Sequence, residues 1–229
     1  MDTHLIFAGV GAGVAFSTTH YLSPHPQNWR LLPSFVMALL LVWIGAKIFF
    51  IVNALLSGVN LQHSHSFFLS ATFWLGGGGL VFHGALVGLL LALPLFPKQT
   101  ISPLFIGLSF GHAIGRVGCF IANCCYGKLC SHNYPWCIDG RYPVQLYEAL
   151  LLLLLGFFLL LQIKSAKIKV IPYLYLFLYS CMRFLLEFLR GDDEIRGMIL
   201  FFSSAQWFFL ILMLVAIALP ALTLKRHIK

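Results

Sequence analysis

The sequence predicts an all-α fold: a polytopic membrane protein of about seven transmembrane helices, with the N-terminus outside and the C-terminus cytoplasmic. Three observations lead there. Hydrophobic residues make up 60% of the 229-residue chain and charged residues only 10%, where a soluble domain carries about 25% charged residues. The apolar runs are continuous rather than alternating, which fits helices and not a barrel. Lys and Arg are distributed unevenly between alternate connections, which sets the orientation.

The spans follow in order. The first, roughly 5–22, is short and holds Thr18, Thr19 and His20, so a six-span count would omit it. The second, roughly 34–56, is interrupted only by Lys47, whose long stem lets it snorkel. The apolar stretch 67–78 ends in a glycine run and reads as a partly embedded loop. The third span, roughly 79–96, contains His83-Gly84-Ala85-Leu86-Val87-Gly88, and the fourth, roughly 101–121, contains Gly115-Arg116-Val117-Gly118. The fifth, roughly 145–163, starts after Pro143, a residue suited to the first helical turn. The sixth and seventh run roughly 170–189 and 201–224.

Arg30, Lys98, Lys164, Lys167, Lys169, Lys225, Arg226 and Lys229 fall on one side of this arrangement, and Lys128, Arg141, Arg190 and Arg196 on the other. The richer side is expected in the cytoplasm. The long 122–144 loop and the acidic 191–194 turn then face out. The net charge of +8 resides largely in short loops and helix ends, so it does not indicate nucleic-acid binding. Met1-Asp2-Thr3-His4 lacks the basic region of a signal peptide, so the first span reads as a retained helix. With no boundary, internal repeat or low-complexity segment, residues 1–229 read as a single domain.

A charge at the bilayer centre costs at least about 2.5–3.5 kcal/mol, so the charges inside these spans need a reason. Arg183, Glu187 and Arg190 are spaced i, i+4, i+7 and share a face on a regular helix, with Tyr179 one turn earlier. They are either a packing ion pair or, because one carboxylate faces two guanidinium groups, a phosphate grip. Arg116 is the second candidate for a phosphate contact. His83 is either a buried hydrogen-bonding residue or a proton carrier, and the glycines beside it permit close approach. Glu148 either complements its helix N-terminus or points with Gln145 into a cavity; Tyr147 lies between them.

Five of the six cysteines, Cys119, Cys124, Cys125, Cys130 and Cys137, cluster in or beside the long loop. On an outward side disulfides are the default, for example Cys130 with Cys124 or Cys137. Their spacing matches no standard zinc site. No P-loop, dinucleotide fingerprint or His-Glu-x-x-His is present, so no cofactor and no metal is expected.

Taken together, the blocks at His83–Gly88, Gly115–Gly127, Tyr142–Glu148 and Tyr179–Arg190 resemble the prolipoprotein diacylglyceryl transferase family, with similarity from about Ala46 to Gln206. The resemblance implies a bacterial inner-membrane enzyme whose active site opens to the outer leaflet. Such enzymes move the diacylglyceryl group of phosphatidylglycerol to the lipobox cysteine of a preprolipoprotein, forming a thioether and releasing glycerol phosphate. It implies catalytic roles for His83, Arg116, Arg183 and Glu187. It implies substrate contacts by Tyr179, Arg190, Gln145, Tyr147, Glu148, Gly84, Gly115 and Gly118, with Asn123 standing in for a lost polar contact.

The departures lie mainly in the loop. The family signature usually reads Gly-Arg-x-Gly-Asn-Phe followed by Asn-Gly-Glu. Here Cys119 takes the asparagine position and Cys124 that of the glutamate. Tyr142 and Val144 replace a usual histidine and serine. A changed loop leaves room for a different acceptor. A transporter reading lacks an inverted repeat, and a non-catalytic reading treats the charges as helix cement.

Overall fold

The protein is described by a computed structural model covering residues 3–25, 28–56, 70, 73–74, 81–130, 136–163, 168–191, 198–199 and 201–226. Among these residues it is an all-α protein of seven helices: α1 (Thr3–Leu22), α2 (Leu31–Leu56), α3 (Phe82–Ala92), α4 (Ile101–Ile121), α5 (Val144–Gln162), α6 (Ile171–Glu187) and α7 (Ser204–Arg226). Each coincides with an expected span. Four segments, Leu5–Leu22, Leu31–Val52, Lys98–Ile121 and Val144–Gln162, are long and apolar enough to cross a membrane. Phe82–Leu95 and Ser204–Pro220 are shorter apolar helices. Large apolar side chains stand exposed along the helices, among them Leu39 and Leu40 on α2, Leu154 and Phe157 on α5, and Leu214 and Ile217 on α7. That much exposed hydrocarbon requires lipid around it, so this is a multi-pass membrane protein.

The helices group into two compact units. Residues 25–98 form one, holding α2 and α3. Glycines set its packing: a Cβ at Gly84 would lie 2.1 Å from the carbonyl oxygen of Gly45, and one at Gly88 2.2 Å from that of Leu41. Small residues at such crossings let helix backbones approach in lipid. Lys47 does not snorkel. It is fully buried and donates to the Phe73 carbonyl at 2.7 Å, with its ammonium over the rings of Phe73 and Trp43. Trp43 Nε1 donates to the Trp74 carbonyl at 2.9 Å. Apart from Ser70, Phe73 and Trp74, the expected embedded loop 67–78 lies outside the described residues.

The other unit comprises residues 1–24 and 99–229. Here α4 packs against α1 and α5, and α6 against α5 and α7. Gly11 and Gly111 bring α1 and α4 into backbone contact, each Cβ position lying within 2.4 Å of the other residue's carbonyl oxygen. Phe105, Tyr175, Tyr179 and Phe209 pack as a column of rings between the helices. A two-stranded antiparallel ribbon, β1 (Met198–Ile199) with β2 (Phe202–Ser203), leads into α7.

The segment after α4 is pinned to the segment after α6. Lys128 N–H donates to the Leu189 carbonyl at 2.8 Å, and Gly191 N–H to the Tyr126 carbonyl at 3.1 Å. Arg190 therefore does not continue the α6 face, contrary to the i, i+7 expectation. The helix ends at Glu187, a tighter turn follows in which the N–H of Arg190 reaches the Glu187 carbonyl, and Arg190 pairs across to Gly127. Cys130 and Cys137 form a disulfide, one of the two pairings offered by the sequence. The acidic turn lies outside the described residues beyond Gly191.

Candidate active site

The charged residues of α4, α5 and α6 converge on one carboxylate. Glu148 sits in the first turns of α5 with its side chain 1% exposed. Arg116 of α4 donates from Nη2 to Glu148 Oε2. Tyr179 of α6 donates its hydroxyl to Oε1 at 3.0 Å. Arg183 Nε lies 3.8 Å from Oε2 and His112 Nε2 3.9 Å from Oε1. Two helices, α4 and α6, thus place cations and a phenol around an anion on α5 whose burial is tolerable only because it is paired.

Arg183 bridges this group to a second one. Its Nη1 lies 2.7 Å from Glu187 Oε2, the i, i+4 pair expected on α6. Glu187 Oε1 accepts from Ser203 Oγ at 3.1 Å. Ser203 is held by a capping box at the start of α7: Gln206 N–H donates to Ser203 Oγ at 3.2 Å, and Ser203 N–H to Gln206 Oε1 at 2.9 Å. The sequence Ser203-x-x-Gln206 carries that signature at the head of an apolar run, and sequence reasoning passed over it.

Arg116, Arg183 and His112 if protonated stand against Glu148 and Glu187. The expectation of one carboxylate facing two arginines is therefore revised: Glu148 arrives from a helix distant in sequence and supplies a second. Donor capacity remains, because Arg116 Nε and Gln206 Nε2 are buried without a hydrogen-bond partner among the described residues. Unused buried donors stand out against the near-complete pairing of protein interiors. Exposure is graded, from 1% at Glu148 and 5% at Arg183 to 10% at Arg116 and 14% at His112, so the Arg116–His112 side is the rim.

The other sequence candidates take varied positions. Gln145 is buried and turned to the loop, donating to the Cys124 carbonyl at 2.6 Å; it does not point with Glu148. Tyr147 donates its hydroxyl to the Trp136 carbonyl. Asn123 is exposed and occupies a left-handed turn, φ 49°. Gly118 packs on the Phe7 side chain, and Gly84 on α2, so both are packing glycines, whereas Gly115 faces open space. His83 is half-buried at the start of α3, in the residue 25–98 unit. Among the described residues His112 joins the cluster although the sequence reading gave it no role. The available signal was its i, i+4 spacing from Arg116.

Next to Arg116, the loop folds Cys124 and Cys125 back toward Cys119, the three sulfurs lying within 4.8 Å of one another. Hydrogen bonds from the thiols of Cys119 and Cys124 push the Cys125 thiol well below its ordinary range, with Arg116 and Arg190 adding to the effect. The Cys124 thiol is raised by its hydrogen bonds with Cys119 and Cys125.

A profile of the prolipoprotein diacylglyceryl transferase family matches residues 4–222. Proteins named phosphatidylglycerol–prolipoprotein diacylglyceryl transferase are similar to this chain. The one from Clostridium tetani is 30% identical over 158 residues, covering 62% of this chain and 63% of the relative. The one from Methylobacillus flagellatus is 31% identical over 190 residues, covering 74% and 72%. The one from Idiomarina loihiensis is 34% identical over 164 residues, covering 64% and 61%. The chain thus spans less than two thirds of the length of the first and third of these relatives.

Proposed function

The chain belongs to the prolipoprotein diacylglyceryl transferase family, and from that premise we propose that it transfers the diacylglyceryl group of phosphatidylglycerol to the lipobox cysteine thiol of a preprolipoprotein, forming a thioether and releasing glycerol phosphate. The observation that carries this reading is the Arg116–Glu148–Arg183–Glu187 cluster, buried among apolar helices at the family's motif positions with donors still unused.

The reaction breaks a carbon–oxygen bond of the glycerol and leaves charge on the departing phosphate ester. Arg116 binds that phosphate from the rim and Arg183 from inside. In a water-poor site their donors are worth far more than in solvent. Glu148 and Glu187 fix both guanidinium groups in place before substrate arrives, so little reorganisation is needed when charge develops. The attacking thiol, with a free pKa near 8.5, needs a proton acceptor. His83 is assigned this proton transfer through its motif position. Tyr179 orients Glu148, and Arg190, paired with Gly127, lies beside the loop after α4, by which the acceptor approaches. Gln145, Tyr147, Asn123 and Gly115 shape that approach. The whole chain acts as one membrane-embedded transferase domain in the bacterial inner membrane, N-terminus outside, C-terminus cytoplasmic, and the site open to the outer leaflet.

Complementation tests the reading. In a bacterium depleted of its own transferase, this chain is expected to restore growth and lipoprotein modification. Normal membrane expression without rescue would shift the assignment to a different acceptor, the reading that Cys119 and Cys124 favour by standing where the family pattern has asparagine and glutamate.

A further inference from the structure

We propose that Cys119, Cys124 and Cys125 form a three-thiolate binding site for a soft divalent cation, Zn²⁺. The sulfurs of all three lie within 4.8 Å of one another, and all three residues are half-buried. A tetrahedral zinc with Zn–S bonds of about 2.3 Å separates its sulfurs by roughly 3.8 Å, so small side-chain rotations close the site.

The backbone is committed to this gathering. Cys119 lies in the last turn of α4, and Cys124 N–H donates to its carbonyl at 3.1 Å. The chain turns back through left-handed conformations at Asn123 and at Cys125, φ 58°. Asparagine tolerates that region; cysteine seldom adopts it, and such strain gathers at functional sites. Gln145 fixes the far side through the Cys124 carbonyl.

Ligand chemistry selects the ion. Among the described residues the group holds three sulfurs and no imidazole or carboxylate, a donor set that excludes Mg²⁺ and Ca²⁺ and favours zinc or monovalent copper. Three thiolates with Zn²⁺ carry one net negative charge, and with Cu⁺ two. Arg116 and Arg190 act electrostatically on Cys125, but Arg116 is already matched by Glu148, so the smaller charge fits better. Pairing the thiols in a disulfide would strand one of the three, whereas a metal engages them all. Cys130 and Cys137 are already satisfied by each other. With three protein ligands, the fourth tetrahedral position is open to an outside ligand.

The test uses the full chain, purified in detergent without chelator, exposed to Zn²⁺ and then desalted. About one zinc per chain is expected by mass spectrometry of the metal. Cys124→Ser and Cys125→Ser should each lose most of it, and the Cys130→Ser/Cys137→Ser double variant should keep it. Because variants can misfold, wild-type protein supplies a second readout: Zn²⁺ should protect these three thiols from maleimide, and a chelator should restore labelling. A wild-type chain that retains no zinc, zinc kept by the triple Cys119/Cys124/Cys125 serine variant, or thiols labelled equally with and without Zn²⁺ would each overturn the proposal.

Discussion

At the residue scale the site is organised by Glu148, not by the arginines. A carboxylate that far from water survives because Arg116, Tyr179, Arg183 and His112 surround it. Removing one partner of a buried pair typically costs about 3–5 kcal/mol, because the other is left uncompensated. Glu148→Ala should therefore lower thermal stability in detergent strongly, whereas Tyr179→Phe, which loses one hydrogen bond, should cost about 1 kcal/mol. Thermal melts of the two variants check this ordering. Arg116→Lys separates chemistry from cement: a lysine can keep the ion pair but presents no planar fork to a phosphate. It should melt near the parent temperature yet lose transfer activity at least about tenfold. The Arg183–Glu187 pair was legible in the sequence because both residues share one helix. Glu148 reads there only as a substrate contact, because its arginine partners lie on other helices and spacing along the chain does not report them; His112 offers only its i, i+4 spacing from Arg116.

At the element scale, glycines and a cap position the machinery. Gly84 and Gly115 look alike in sequence, each beside a candidate catalytic residue. The structure separates them, since Gly84 meets the α2 backbone and Gly115 meets nothing. Gly84→Leu should abolish stable expression, and Gly115→Ala should leave the melting temperature unchanged; expression level and thermal melts of the pair decide it. The capping box of α7 holds Ser203 against Glu187. Gln206→Ala should destabilise by about 1 kcal/mol, as cap losses do, and should weaken the grip on Glu187, read as slower transfer. The helices themselves were legible from hydropathy, with ends shifted by a few residues. The end of α6 was not, because the pairing of Arg190 with Gly127 depends on a loop that follows a different helix.

At the scale of the whole molecule, the multi-pass all-α architecture follows from composition, and the family from four motif blocks in order. Orientation rests on charge: eight basic residues lie in one set of connections against four in the other. Reporter fusions after residue 165 and at the C-terminus should report cytoplasm, and a fusion in the 122–144 loop the outside; the reverse pattern would put the site on the wrong leaflet for its proposed acceptor. On the proposed function, guanidinium groups held in the bundle grip a phospholipid phosphate as its ester leaves. The deciding measurement is transfer from labelled phosphatidylglycerol to a lipobox peptide by the parent, Arg116→Ala and Arg183→Ala at equal folded concentration. The expected result is robust transfer by the parent and a loss of about 10²–10³ in rate for each variant. Transfer at the parent's rate by either variant would contradict it.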